Sequence, residues 1–191
     1  GLDLADNKWD VSIIEETDVQ TVPGDPSMSY VSLLLPFDGV DAATSTTDES
    51  DTGHTVTFNG DVRISTAQSK FGGSSMYFDG NGDYLTFADH ADWTFGTGDF
   101  TVECWVRFSS TSGVQYLLSS TADVSGFLRF SWNGSSSYWH WYNYTTGSQT
   151  FADTISADTW YHIVTTWDGS SSSPRKIYVN GSEVGYSQSV N

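Results

Sequence analysis

The stretch that most narrows what this chain can fold into is 69–108, SKFGGSSMYFDGNGDYLTFADHADWTFGTGDFTVECWVRF. Within it Phe100, Val102, Cys104, Val106 and Phe108 alternate with Thr101, Glu103, Trp105 and Arg107. Successive side chains on a strand point to opposite faces, so this run describes a strand with one buried and one partly polar face. Two shorter β-runs, Met76–Phe78 and Tyr84–Phe87, flank Asp79-Gly80-Asn81-Gly82-Asp83, whose Asp, Asn and Gly residues favour a tight turn.

The same grammar extends in both directions. Tyr30–Phe37 reads as the first strand of a sandwich, with Pro36 putting its end at a sheet edge. The Asp-, Thr- and Ser-rich run 38–53 is a loop. Thr55–Phe58, Val62–Ile64, Gln115–Ser119, Gly126–Trp132, Tyr138–Tyr144 and Trp160–Trp167 follow as strands. Asn180-Gly181 between Lys176–Val179 and Ser182–Val184 is a strong two-residue hairpin signal. Strands about every ten residues with turns between them predict an all-β antiparallel sandwich. Residues 1–27 read as a connector or extended arm: Trp9, Val11 and Ile13 alternate into one short strand before Pro23-Gly24-Asp25-Pro26. The sandwich is expected over 28–191.

Composition fits strands and turns. Eight Trp, ten Tyr and eleven Phe supply a core that the modest aliphatic content would not. Net charge is −17, and 12 of the 24 acids fall before residue 52, where Lys8 is the one base. Such a field repels phosphate backbones, so nucleic acid is not an expected partner. No stretch is long and apolar enough to suggest membrane insertion by a helix. Cys104, the single cysteine, lies on the apolar strand face, where a small buried hydrophobe is expected rather than a reactive thiol.

The pattern FGGSSMYFDGNGDYL…GDFTVECWVRF resembles laminin-G-like domains of the concanavalin A-like lectin/glucanase superfamily. Trp160-Tyr161-His162 and Tyr178-Val179-Asn180-Gly181 match a late Trp-x-His strand and YVNG hairpin of that family. The resemblance implies a laminin-G-like jelly roll. The same stretch, with SLLLPFDG, is similar to laminin-G-like domains in tail, fibre and capsid-associated proteins of phages. It therefore implies a virion or extracellular surface setting, with neighbouring subunits or domains of a larger assembly as partners. Family members close the sheet with a further strand. Gly185–Asn191 lacks that motif, which points to missing C-terminal sequence.

Candidate chemistry is sparse. Glycoside hydrolysis needs two carboxylates facing one cleft, and the matching strand offers Glu103 alone, expected to pair with Arg107. Gly-x-Ser-x-Gly is absent. His54, His90, His140 and His162 show no metal-ligand spacing, so zinc is not expected. Asp79–Asp83 resembles the start of a helix–loop–helix calcium loop, but Tyr84 and His90 stand where glycine and the bidentate Glu belong. Family relatives hold Ca²⁺ at the sandwich rim, and by that resemblance Asp48, Asp79 and Asp83 are the candidate ligands of a Ca²⁺ cofactor. In YWHWYNY, Trp139 and Trp141 share one face, and Tyr138, His140, Tyr142 and Tyr144 the other. The Trp face is expected to be core. The Tyr/His face, with Trp132 near it, is the candidate surface for a glycan or protein ligand. The leading expectation is a non-catalytic recognition module. The alternative is a structural spacer or decoration domain, and a glycoside hydrolase is a distant third.

Overall fold

The computed structural model describes residues 2–4, 8–12, 28–93, 98–120, 128–143, 147–169 and 175–190. Its strands in chain order are β1 (Leu2–Leu4), β2 (Lys8–Ser12), β3 (Thr57–Asn59), β4 (Arg63–Ser65), β5 (Ser75–Asp79), β6 (Tyr84–Phe87), β7 (Phe100–Phe108) and β8 (Val114–Ser120). There follow β9 (Leu128–Asn133), β10 (Tyr138–Asn143), β11 (Gly147–Ala152), β12 (Trp160–Trp167), β13 (Arg175–Val179), β14 (Ser182–Val184) and β15 (Tyr186–Val190). Two single 3-10 turns, Met28–Tyr30 and Ala91–Trp93, are the helical elements among the described residues. The strands form two antiparallel sheets, ordered β15-β11-β10-β9-β8-β1-β6-β3 and β14-β13-β12-β7-β2-β5-β4.

One core lies between them. The smaller sheet contributes Met76, Phe78, Val106, Phe108, Ile163 and Ile177, and the larger contributes Leu85, Phe130, Trp132, Trp139, Trp141 and Phe151. Trp139 is fully buried amid rings from both sheets. Phe130 stacks on it at 5.5 Å and Trp132 tilts against it at 5.1 Å, while Phe108 approaches from the facing sheet at 6.3 Å. Its indole N–H donates to Asp153 Oδ2 at 3.0 Å, so the one polar atom of the side chain is satisfied. Trp141 meets Phe100 of the facing sheet at 6.0 Å. In β8 the register shifts between Tyr116 and Leu118 against β9, a bulge that lets Leu117 and Leu118 both be buried.

Two expectations change. The strand expected near Trp9 is present, but β1 and β2 are inner strands of the two sheets, not an arm directed elsewhere. β1 pairs with β6 and β8, while β2 pairs with β5 and β7. The β2 register sets Trp9 opposite Phe78 and Phe108, and Val11 opposite Met76 and Val106. A short strand that buries too little alone finds its partners inside this sandwich. Tyr30–Phe37 is not a strand. Leu34, Leu35 and Phe37 are buried, but the chain turns at Phe37 with φ +56°, which an extended ladder does not allow. Tyr186–Val190 pairs with β11 as an edge strand.

The Asn180-Gly181 hairpin forms as expected, with φ of +50° and +78° at the two turn residues. It is also clasped to the neighbouring strand. Asn180 N–H donates to the carbonyl of His162 at 2.8 Å, and His162 N–H donates to Asn180 Oδ1 at 2.9 Å. That exchange gives the pairing of a Trp-x-His strand with a YVNG hairpin a physical reason.

Replacing Trp139 with alanine removes the ring on which both sheets converge. Large-to-small core changes of this kind cost about 3–5 kcal/mol. Chemical denaturation of Trp139→Ala is expected to show a loss in that range, against under about 0.5 kcal/mol for Val40→Ala at an exposed position.

Candidate functional site

Because Trp139 and Trp141 point inward, the alternate residues of β10 line the outer face of the larger sheet. The register sets Tyr138 beside Asn133 and Ala152, His140 beside Ser131 and Thr150, and Tyr142 beside Arg129 and Ser148. Tyr116 joins them from β8 opposite Ser131. Tyr116, Arg129, Tyr138, His140 and Tyr142 are all half-buried. Asn133 Nδ2 donates to the Tyr138 hydroxyl at 3.1 Å, and the Tyr138 and His140 rings meet edge to face at 6.3 Å. The Arg129 guanidinium lies over the Tyr116 ring at 5.4 Å, within cation–π range. Burial, with the Arg129 charge adding to it, lowers the pKa of His140 from its ordinary value. The imidazole is therefore neutral at neutral pH and offers one donor and one acceptor. The face thus presents tyrosine rings, hydroxyl groups, a neutral imidazole and one cation.

Two of the expected ligand residues need comment. Trp132 is on the opposite face: its register partner is Trp139, it is 2 % exposed, and its indole N–H donates to the Thr111 carbonyl at 3.1 Å. A side chain so enclosed cannot stack on a ligand, and Trp132 belongs to the core. Tyr144 lies outside the described residues.

The acids expected to hold calcium accept hydrogen bonds from backbone amides. Asp48 is 4 % exposed. Its Oδ1 accepts from Leu34 N–H at 2.9 Å and Ser50 N–H at 3.0 Å. Its Oδ2 accepts from His54 N–H at 2.7 Å and Ser50 Oγ at 2.8 Å. Asp83 is fully buried and receives Asp61 N–H on one oxygen at 2.6 Å and Asp79 N–H on the other at 2.7 Å, joining the Asn59-Gly60-Asp61 turn to the end of β5. Asp79 Oδ1 accepts from Asn81 N–H at 2.7 Å, closing its own turn. Amide donors satisfy these carboxylates as a cation would. Asp48, Asp79 and Asp83 are not among the residues that meet in a metal-capable group within the described chain.

On the outer face of the smaller sheet, Glu103 sits 3.3 Å from His162 Nε2, and Arg107 pairs with Asp158 at 2.7 Å. Four residues along a strand span about 13 Å, so Glu103 and Arg107 each have a nearer partner than the other. Trp105 stacks on His162 at 5.0 Å under Lys70 Nζ, 4.2 Å from the ring centre. Burial pushes the Cys104 thiol up to about 12, which keeps it protonated and unreactive.

One grouping escaped the sequence. His54, His90 and Asp92 come together, with one ligand atom of each within 4.8 Å of the others. His54 Nε2 is 2.9 Å from Asp92 Oδ2, and His90 Nδ1 is 3.2 Å from Asp92 Oδ1. The hydrogen bond from His54 is the largest of the effects that hold the Asp92 carboxyl below its ordinary pKa. Only His90-x-Asp92 is a local signal. His54 arrives from a loop 38 residues from Asp92, which no spacing rule detects.

Comparison with known families matches residues 79–191, more than half of the chain, to a laminin-G family model described as the concanavalin A-like lectin/glucanases superfamily. No curated protein and no solved structure matches the chain.

If the acids are structural clasps, their removal should be costly and calcium-blind. Asp48→Ala leaves two buried or part-buried amides and the Ser50 groups without their acceptor, and is expected to lose about 3 kcal/mol. Thermal denaturation should give the same loss with excess Ca²⁺ and with a chelator. A melting temperature that rises with Ca²⁺ in wild type but not in Asp48→Ala would instead assign Asp48 a calcium role.

Proposed function

Because this chain belongs to the laminin-G-like family of the concanavalin A-like lectin/glucanase superfamily, we propose that it is a non-catalytic recognition module. Its ligand is a glycan, bound across the outer face of the larger sheet at Tyr138, His140 and Tyr142, with Tyr116 and Arg129 at the side. The module sits on the surface of a larger extracellular or virion protein. Domains with this lectin-like fold are generally non-catalytic binding units, and a fold alone does not name a ligand.

The observation that carries the reading is the division of β10. Its tryptophans are fully buried, while its tyrosines and histidine are held half-exposed in a row. Aromatic rings with a polar tip suit a ligand that is apolar on its ring faces and hydroxylated at its edges. A neutral imidazole can accept from one hydroxyl and donate to another. Arg129 adds a fixed charge that favours an acidic or carboxylated sugar over a neutral one. The overall acidity of the chain, at −17, opposes polyanions and so limits that preference to isolated anionic groups.

A glycan array probed with the wild-type chain and with Tyr142→Ala and His140→Ala tests this. Wild type is expected to bind a defined subset of glycans. Each variant should lose at least about tenfold in affinity, the effect of about 1.4 kcal/mol, while melting within a few degrees of wild type. No binding at high protein concentration, or binding unchanged in both variants, would sink the proposal and leave the structural-spacer role.

A further inference from the structure

We propose that His54, His90 and Asp92 form a binding site for a divalent transition-metal ion of the Zn²⁺ type. Two imidazoles and a carboxylate are a donor set that suits Zn²⁺ and its neighbours rather than Ca²⁺, which takes six to eight oxygens. All three ligand atoms already lie within 4.8 Å of one another. Ligands at about 2.0–2.1 Å from a tetrahedral zinc lie about 3.3 Å apart. His54 Nε2 lies 2.9 Å from Asp92 Oδ2 and His90 Nδ1 lies 3.2 Å from the other oxygen, Oδ1, so each imidazole is already near that spacing from one oxygen of the carboxylate. The remaining contraction falls to His90, whose side chain is 46 % exposed; its Nδ1 exchanges the hydrogen bond it accepts from Asp92 N–H at 3.3 Å for the ion, and its ring already meets that of His54 at 4.7 Å.

The surroundings hold the other two donors in place. His54 has a side chain only 9 % exposed, and its ring lies against Trp93 at 4.5 Å. Trp93 in turn is fixed by an indole hydrogen bond to the Ala88 carbonyl and by packing on Phe87. The backbone of His54 is pinned by its N–H to Asp48, the same carboxylate that gathers the 48–54 loop. Thr52 Oγ1 donates to Asp92 Oδ2 at 3.1 Å, orienting the carboxylate. Outer partners of this kind are what tune a metal site. The ion takes the position between His54 Nε2 and Asp92 that a proton shares in the metal-free form. The imidazole then carries its proton on Nδ1, and no net redox change is involved. Three protein donors leave one coordination position for water. The site rests on different residues from the glycan face and stands or falls independently of it.

The test is calorimetric titration of ZnCl₂ alone into the chelator-treated chain, prepared without a histidine tag. One saturable ion per chain is expected, with a rise in melting temperature at saturation because the ion binds only the folded state. His90→Ala and Asp92→Asn should each bind Zn²⁺ at least about tenfold more weakly. His90→Ala should melt within a few degrees of wild type in chelator, since nearly half of that side chain is exposed. His162→Ala, at a histidine remote in sequence and paired with Glu103, should bind as wild type does. No saturable binding by wild type, or equal affinity in wild type and His90→Ala, would overturn the proposal. So would an equal loss in His162→Ala.

Discussion

The structure depends on one consequence of the two-residue period of a β-strand. Burying Trp139 and Trp141 fixes the register and orientation of the whole of β10, because a slip of one residue would turn both indoles out to solvent. Trp139 and Trp141 each touch rings from both β7 and β9. Side chains of this size bury far more apolar surface than an aliphatic residue, so they outweigh any preference of the tyrosines for the interior. The outward row Tyr138, His140 and Tyr142 is thus the complement of the core, not a separate decision. The candidate binding face and the stability of the sandwich are set by the same strand.

Where the sequence was legible, the signal was local and periodic. The alternation over Phe100–Phe108 became a strand whose Cys104, Val106 and Phe108 are buried. Asn180-Gly181 became the hairpin its positive φ angles require. The inward Trp pair followed from the impossibility of exposing both faces of so aromatic a run. The failures involve position across the sheet. Trp132 occupies its own strand, and only the β9–β10 register shows that it faces Trp139. Glu103 prefers His162 on the adjacent strand to Arg107 on its own. The short strands of the first twelve residues carry too little apolar pattern to announce that they fill slots in both sheets. The buried run Leu34, Leu35 and Phe37 looked like a strand because burial was visible in the sequence and the turn at Phe37 was not.

The acidic residues of the loops have a structural use of their own. Clustered Asp in loops suggests either solvation or a cation. In Asp48 and Asp83 the burial is nearly complete and the counter-donors are backbone N–H groups. A carboxylate that accepts several amides ties distant loop segments together without any ion. Asp48 then has a second consequence, because the loop it gathers delivers His54 to Asp92. A structural clasp on one side of the residue thus preorganises a cluster of titratable side chains on the other.

The central claim is the division of β10 into an enclosed tryptophan face and an accessible tyrosine–histidine face. Hydroxyl-radical footprinting of the native chain, read residue by residue by mass spectrometry, tests it most directly. Tyr138 and Tyr142 should be modified readily, while Trp132, Trp139 and Trp141 stay protected until the chain unfolds, despite the higher intrinsic reactivity expected of indoles. Modification of Trp139 or Trp141 in the native state at the rate seen for Tyr142 would contradict the account.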